Sequence, residues 1–291
     1  MLELAAQAGI GLVAGLIGGL LGVGGSLIII PALILYLSHT AAGYSGAQQH
    51  LIQAAAMICN VFIAAPAVLA HRRAGAIMKP VVLRLIPAAL LGIALGVALT
   101  NSRYFARENG RYLALTLALF LVYVVAYNFW RLFSKVSLTD QFEEDTHPLP
   151  TVRVIAVGLP MGLIAGLLGI GGGTLCVPAQ QLFLRLPLRR AIANSATTIM
   201  CTAVFGALYK NLTLSAHTVP LIDSLQLAAM LIPTAILGSY LGGHLTHALP
   251  RRILRIVYIV FLLVVAYLTF SRSRAPQPAP SPMATPRNNP A

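Results

Sequence analysis

One glycine-rich stretch occurs twice in the chain, and this repetition constrains the fold more than any other feature. Residues 11–31 read GLVAGLIGGLLGVGGSLIIIP and residues 158–178 read GLPMGLIAGLLGIGGGTLCVP, with 12 identities in 21 positions at a constant shift of 147 residues. Seven of the matched positions are glycine or proline. Because chance does not keep seven helix-breaking residues in register, the sequence predicts two internal repeats.

Each copy predicts an interrupted helix. In the first copy, Gly11, Gly15 and Gly19 place small residues on one helix face, where another helix backbone can approach closely. The run from Gly22 to Ser26 has too little helix propensity to continue the helix. A second apolar run that ends in Pro31 follows. We therefore predict a helix, a break and a short helix, whose first N–H groups have no partner within the helix.

The composition places these breaks in a membrane. The chain is 58% hydrophobic and 9% charged, with a mean hydropathy of +0.82, whereas about a quarter of the residues of a soluble domain are charged. A net charge of +13 would suggest nucleic acid for a soluble chain. Here Arg and Lys lie between apolar segments, as the positive-inside rule and anionic lipid require. The predicted partner is therefore the lipid bilayer, and no nucleic acid is expected.

Three apolar segments follow each break, each near the roughly 20 residues that cross a bilayer. They are predicted at 51–70, 81–99 and 112–133, and again at 191–209, 221–245 and 253–270. The fold class is thus an all-α polytopic membrane protein with about eight membrane segments. We predict membrane repeats at 1–133 and 152–270, a polar acidic linker at 134–151, and a disordered proline-rich tail at 271–291. The N-terminus is interpreted as a retained segment and not as a signal peptide.

The orientation of the repeats depends on whether each broken stretch crosses the membrane. If it crosses, the repeats are parallel and the 20 basic residues divide 11 to 9 between the two sides. If each break is a re-entrant hairpin, the repeats are inverted and the division is 13 to 7. The positive-inside rule favours the second arrangement, which is typical of secondary transporters whose sites lie at broken helices.

The distribution of acids favours an anionic substrate. The chain has seven acids and only Asp223 is close to an apolar segment, whereas cation pathways usually carry Asp or Glu. Helix N-termini bind anions through free N–H groups, and small polar side chains can add donors. The predicted substrate-binding residues are Gly24, Gly25, Ser26, Gln53 and Asn60 in the first half, and Gly171, Gly172, Gly173, Thr174, Asn194, Ser195 and Thr198 in the second.

Each of these groups also has a purely structural interpretation. The glycines could serve only tight packing, and the polar side chains could bond neighbouring helices. A nucleotide-binding loop is disfavoured because no Lys-Ser/Thr follows either break. Membrane-interface anchoring is the predicted role of the four arginines, with substrate attraction as the minor alternative: Arg72, Arg73, Arg189 and Arg190.

No metal site or cofactor is predicted. Four histidines lie near segment ends without ligand spacing to one another, at His71, His217, His244 and His247. The cysteines lie inside apolar segments without a CxxC spacing and are expected to be small buried hydrophobes.

Three motifs resemble the TauE/SafE family of sulfite exporters, also called the toluenesulfonate uptake permease superfamily. They are the duplicated GLxGxGG break, the H-R-R-x-G-x-I turn at 71–77, and the run from Ala191 to Ser195. The resemblance implies a bacterial inner-membrane permease for sulfite, sulfonates, sulfoacetate and related anions. The family's small-polar motif, Ala-x-Gly-Thr-Ser, falls on Ala191 to Ser195, where Asn194 departs from the pattern.

The leading functional prediction is a secondary permease that exports a small sulfur-containing anion by alternating access at the paired breaks. One negative charge leaving a negative cytoplasm gains about 2.3 kcal/mol per 100 mV, so export requires no coupling ion. The alternative is a non-transporting membrane assembly or scaffold factor, which would be expected to carry a large polar domain or long interaction loop. An enzyme is not expected, since the sequence has no HExxH motif and no paired acids. The sequence specifies neither the oligomeric state nor the exact substrate.

Overall fold

A computed structural model describes residues 2–38, 46–100, 122–123, 125–126, 129–130, 149–168, 173–214 and 219–274. All regular secondary structure in these ranges is α-helical apart from isolated turns. The helices are α1 (Leu2–Leu21), α2 (Ser26–Ser38), α3 (Gly46–Arg73), α4 (Lys79–Thr100), α5 (Thr151–Leu168), α6 (Gly173–Phe183), α7 (Leu188–Leu212), α8 (Leu221–Ala248) and α9 (Arg251–Arg274). Most of the apolar segment predicted at 112–133, the linker up to residue 148 and the tail after residue 274 lie outside the described residues.

Four of the described helices are long and apolar enough to cross a membrane. They contain the stretches Leu51–Arg73, Lys79–Gly96, Leu188–Leu212 and Leu221–Ala248. Two shorter apolar stretches lie in α1 and α5. The predicted all-α class with membrane-length apolar helices is therefore confirmed.

Helix α1 packs against α8 through its glycines, as the four-residue spacing predicts. A Cβ atom on Gly15 would overlap the carbonyl oxygen of Ala235, and one on Gly19 would overlap that of Ser239. Only glycine allows the two backbones to approach so closely. The predicted packing face of the first stretch is confirmed.

Helices α5 and α4 pack together in the same way, through the residues that correspond to Gly15 and Ala235 in the two repeats. A Cβ atom on Gly162 would overlap the carbonyl oxygen of Ala89. Gly162 is 147 residues after Gly15, and Ala89 is 146 residues before Ala235. The first helix after each repeat boundary therefore packs against a helix from the other half of the chain.

The chain reverses direction at the first break. Gly11, Gly15 and Gly19 meet Leu231, Ala235 and Ser239 in ascending order, so α1 and α8 run parallel. Helix α3 also runs parallel to α8, because Ile63, Ala67 and His71 contact Ser239, Gly243 and His247 in ascending order. Since α1 and α3 point the same way, α2 between them must run back.

One end of the helix bundle, which we call the basic end, gathers six helix boundaries. The turn after α3 contacts the start of α7 through a hydrogen bond from Met78 N to Asn194 Oδ1 of 2.8 Å. Arg84 Nη1 in α4 donates to the Leu149 carbonyl just before α5, at 2.8 Å. Arg189 Nη2 in α7 donates to the Leu249 carbonyl between α8 and α9, at 2.7 Å. Hence α3 and α8 end here, α4, α5, α7 and α9 begin here, and α7 runs opposite to α3.

The prolines at the end of the two repeated stretches do not end the short helices. Pro31 lies inside α2, which continues to Ser38, and Pro178 lies inside α6, which continues to Phe183. A proline removes one backbone hydrogen bond and crowds the preceding turn. Membrane helices tolerate this because neighbouring helices and small adjustments satisfy the freed groups.

Candidate functional site

The first glycine break is a tight turn between α1 and α2. Gly22 has φ 62° and Gly24 has φ 80°, a left-handed region that side chains with a Cβ atom rarely adopt. A Cβ atom on Gly22 would also overlap the carbonyl oxygen of Ile192 in α7. The glycines are therefore required both by the backbone turn and by the close approach of α7.

Asn60 of α3 caps the helix that follows this break. Its Oδ1 atom accepts hydrogen bonds from the N–H groups of Gly25 (2.7 Å) and Ser26 (2.9 Å). Its Nδ2 group donates to Ser26 Oγ at 2.9 Å. Asn60 and Ser26 are both fully buried. The side chain from α3 thus does what an N-cap residue does in an ordinary helix, and four predicted residues lie together: Gly24, Gly25, Ser26 and Asn60.

The N–H groups of Gly25 and Ser26 have no partner within α2, as predicted, but they are not free to bind a solute in this structure. Both groups donate to the Asn60 side chain. The physical reason is that a buried donor without a partner costs about 1–3 kcal/mol, and Asn60 is a buried amide that itself needs donors and acceptors. The two requirements are satisfied by the same contact.

Ser195 brings the second half of the chain to the first break. Its Oγ atom donates to the carbonyl oxygen of Gly22 at 2.6 Å, and the side chain is fully buried. The break is therefore held between Asn60 on α3 and Ser195 on α7. These two helices come from different halves of the chain.

Asn194 faces a different neighbour from Ser195. Its Oδ1 atom accepts from Met78 N, and its Nδ2 group donates to Gln180 Oε1 at 3.1 Å. Gln180 Nε2 lies 3.3 Å from the Ala191 carbonyl oxygen. Asn194 thus links α6, α7 and the start of α4.

Gln180 and Gln181 belong to the buried polar groups near these helices and were not predicted. Both are almost completely buried in α6. Gln181 Oε1 has no hydrogen-bond partner within the described part of the chain. Two adjacent amides in an otherwise apolar helix were the sequence feature that could have identified them.

The remaining predicted residues make no hydrogen bond to the first break among the described residues. Thr198 is buried and its hydroxyl donates to the carbonyl oxygen of Asn194 in its own helix at 2.8 Å. Gln53 is half-buried on α3. Gly173 begins α6 together with the backbone of Thr174, whereas Gly171 and Gly172 lie outside the described residues.

Helices of this length and apolarity define a multi-pass helical membrane protein. Curated relatives carry the names of membrane transporters. The chain is 26% identical over 283 residues to "Probable membrane transporter protein MamO" of Paramagnetospirillum magneticum, covering 88% of this chain and 42% of that protein. It is 26% identical over 269 residues to "Probable membrane transporter protein YunE" of Bacillus subtilis, covering 90% of this chain and 95% of that protein.

The family is defined by a match over nearly the whole chain. The model of the family described as "Sulfite exporter TauE/SafE" matches residues 7–279, and the chain belongs to this family. The prediction made from the glycine breaks is confirmed. The chain spans less than half the length of the two MamO proteins that it matches, 42% and 43%. No solved structure matches it. The family is described as a sulfite exporter family, and these relatives are named probable membrane transporters.

Proposed function

We propose that the protein is a secondary permease that exports small sulfur-containing anions of the sulfite, sulfonate or sulfoacetate type across the bacterial inner membrane. The observation that carries the proposal is the first break, whose turn is bonded by Asn60 from one half of the chain and Ser195 from the other. A movement of α3 against α7 would change both contacts at once. The name of the family supports the substrate class.

The substrate competes with Asn60 for the helix start. In the described state the Asn60 amide oxygen accepts both N–H groups of Gly25 and Ser26. A negatively charged oxygen forms stronger hydrogen bonds than a neutral amide oxygen, and the positive end of the α2 dipole favours it further. The anion takes the place of the Asn60 oxygen, and the displaced amide donates to the anion through its NH₂ group.

The two halves form inverted repeats with re-entrant hairpins at the breaks. This is supported by the opposite directions of α3 and α7, which occupy corresponding places after the two breaks. It is supported further by the return of α2 toward the end where α1 begins, and by the start of α5 and the end of α6 at the basic end. Broken helices at the interface of inverted repeats are the usual sites of secondary transporters.

The basic end faces the cytoplasm in this proposal. Eleven Lys and Arg residues of the described chain lie at or near helix boundaries at that end: Arg72, Arg73, Lys79, Arg84, Arg153, Arg185, Arg189, Arg190, Arg251, Arg252 and Arg255. The positive-inside rule assigns such an end to the cytoplasmic side. Export then follows the membrane potential for an anion.

Flux of radiolabelled sulfite from proteoliposomes tests the proposal. Asn60→Asp keeps an acceptor for the Gly25 and Ser26 N–H groups but places a negative charge where the substrate binds. We therefore expect folded protein with flux reduced at least tenfold. Thr197→Ala is the matched control, because that hydroxyl is half-buried and donates to Ala193 of its own helix.

The result that would overturn the proposal is folded wild-type protein that moves none of sulfite, a sulfonate and sulfoacetate above protein-free vesicles. The same outcome would favour the alternative of a membrane assembly factor. Equal flux for wild type and Asn60→Asp would remove the first break as the substrate site.

A further inference from the structure

A cavity at the basic end lies outside the site at the glycine break. It has a volume of about 230 Å³ and is lined by the turn at Gly75, by the start of α7 and by residues of α8 and α9. A single water needs roughly 10–15 Å³ on such a measure. The cavity can therefore hold a small solute together with water.

The charged lining of this cavity is positive. Arg189, Arg190 and Arg255 line it, and Arg255 is only 6% exposed. Asp223 is the one acid whose side chain belongs to the described part of the chain, and it lies in the first turn of α8, far from the last turn of α8 that reaches the cavity. A cleft lined by charges of one sign raises the local concentration of ions of the opposite sign.

Two features place hydrogen-bond donors near the cavity. Helix α7 starts at its wall with Pro187 as N-cap and without a side-chain cap, so backbone N–H groups of its first turn have no acceptor from a capping side chain. Arg189 is fixed by its bond to the Leu249 carbonyl, and its buried Nε atom has no partner within the described residues. A guanidinium held in this way is suited to a planar or tetrahedral oxyanion.

His247 completes the lining and is itself held in place. Its Nε2 atom lies 2.9 Å from Nδ1 of the fully buried His71, with the two rings at 76°. One ring must donate and the other accept in such a contact. His71 therefore fixes the orientation of His247 at the cavity wall, although 176 residues separate the two.

We propose that this cavity binds a small oxyanion through Arg189, Arg190 and Arg255. The chemistry is shared by a free anion such as sulfite or sulfate and by the phosphate of an anionic lipid. The cavity lies close to the first break, because Arg189 is one helical turn from Ile192, which contacts Gly22. The binding site stands by itself, whereas its role as the cytoplasmic vestibule of the substrate path rests on the proposed function.

The test measures equilibrium binding of radiolabelled sulfite and sulfate to the purified full chain. Arg190→Gln removes one of the guanidinium groups that line the cavity. Arg252→Gln is the matched control, because Arg252 is exposed on the same end and its replacement removes the same charge. Measurements in the Asn60→Asp background separate the cavity from the break, since that change blocks the break.

We expect Arg190→Gln to weaken binding at least tenfold, because it removes a charge-assisted hydrogen bond to the anion. Arg252→Gln should change it less than about twofold, as exposed charges contribute little. Equal losses in both variants, or no binding to the Asn60→Asp protein in either lipid below, would overturn the proposal. If Asn60→Asp abolishes sulfite flux but the protein still binds the anion, the cavity and the proposed transport site are two distinct binding sites.

A comparison of two lipids distinguishes a free oxyanion from the phosphate of an anionic lipid. Binding is measured in nanodiscs of phosphatidylcholine and of phosphatidylglycerol. Equal affinity in both identifies a site for a free anion, whereas binding that phosphatidylglycerol abolishes identifies the lipid phosphate as the occupant.

The variant Ala74→Cys, at a position that lines the cavity, gives a second readout. Sulfate should slow its modification by a maleimide, and should not slow that of Arg73→Cys at an exposed position. Equal rates with and without sulfate for Ala74→Cys would contradict the site.

Discussion

At the scale of single residues, Asn60 decides whether the first break is a turn with satisfied donors or a gap in the helix. Its side chain makes three hydrogen bonds with Gly25 and Ser26 at the start of α2. The same atoms give the residue its proposed role in transport, because the substrate must replace a contact that also stabilises the fold. If the proposed mechanism holds, stability and binding at this break are coupled through one amide.

The replacement Asn60→Leu should expose this coupling as a loss of stability. Leucine has a similar size but leaves the buried N–H groups of Gly25 and Ser26 without an acceptor, at a cost of about 1–3 kcal/mol each. We expect a clear decrease in the midpoint of thermal denaturation in detergent, with Asn60→Asp much closer to the wild type. An Asn60→Leu protein that is as stable as the wild type would show that the two N–H groups find another acceptor.

The sequence predicted the residues of this site better than their contacts. The glycines of the break follow from propensity, and Asn60 was selected as a polar side chain within an apolar segment that could add a hydrogen-bond donor. That Asn60 bonds Gly25 and Ser26 depends on how α3 is placed beside the break, across 35 and 34 residues of chain. The contact between His71 and His247 was not predicted for the same reason, since no local pattern indicates a contact across 176 residues.

At the scale of helices, the spacing of small residues carries most of the information. Gly15 and Gly162 lie at corresponding positions of the two stretches, and each meets the backbone of a helix from the other half. The four-residue spacing predicted such a face from sequence alone. The identity of the partner helix could not be predicted, because a flat glycine face fits any helix that offers a small residue.

Gly15→Ala should therefore disturb the α1–α8 pair far more than Gly9→Ala. A Cβ atom on Gly15 overlaps the carbonyl oxygen of Ala235, whereas one on Gly9 has nothing within 4 Å. Since the obstacle is backbone, the helices must separate, and overpacking of this kind costs about 1–3 kcal/mol. Thermal denaturation of the two variants in one detergent gives the comparison, and equal midpoints would show that the helices are not packed this closely.

At the scale of the whole molecule, the arrangement of helix ends connects the fold to the direction of transport. The boundaries of α3, α4, α5, α7, α8 and α9 that meet at the basic end carry most of the Lys and Arg of the described chain. The sequence alone allowed parallel and inverted repeats, because the broken stretch has about the length of one crossing. Helices α1 and α3 both run parallel to α8. The chain therefore returns between α1 and α3, as a re-entrant hairpin would, and this favours the inverted arrangement.

Labelling of single cysteines in intact cells tests this arrangement. Replacements at Arg73, Arg252 and Leu212 fall on exposed positions at helix ends. In the inverted arrangement Arg73→Cys and Arg252→Cys lie on the cytoplasmic side, and Leu212→Cys, at the far end of α7, lies on the outside. An impermeant maleimide should therefore label only Leu212→Cys until the membrane is opened. If Arg73→Cys were labelled together with Leu212→Cys, the end of α3 and the end of α7 would share a face, the repeats would be parallel, and the potential-driven export argued from the basic end would lose its structural basis.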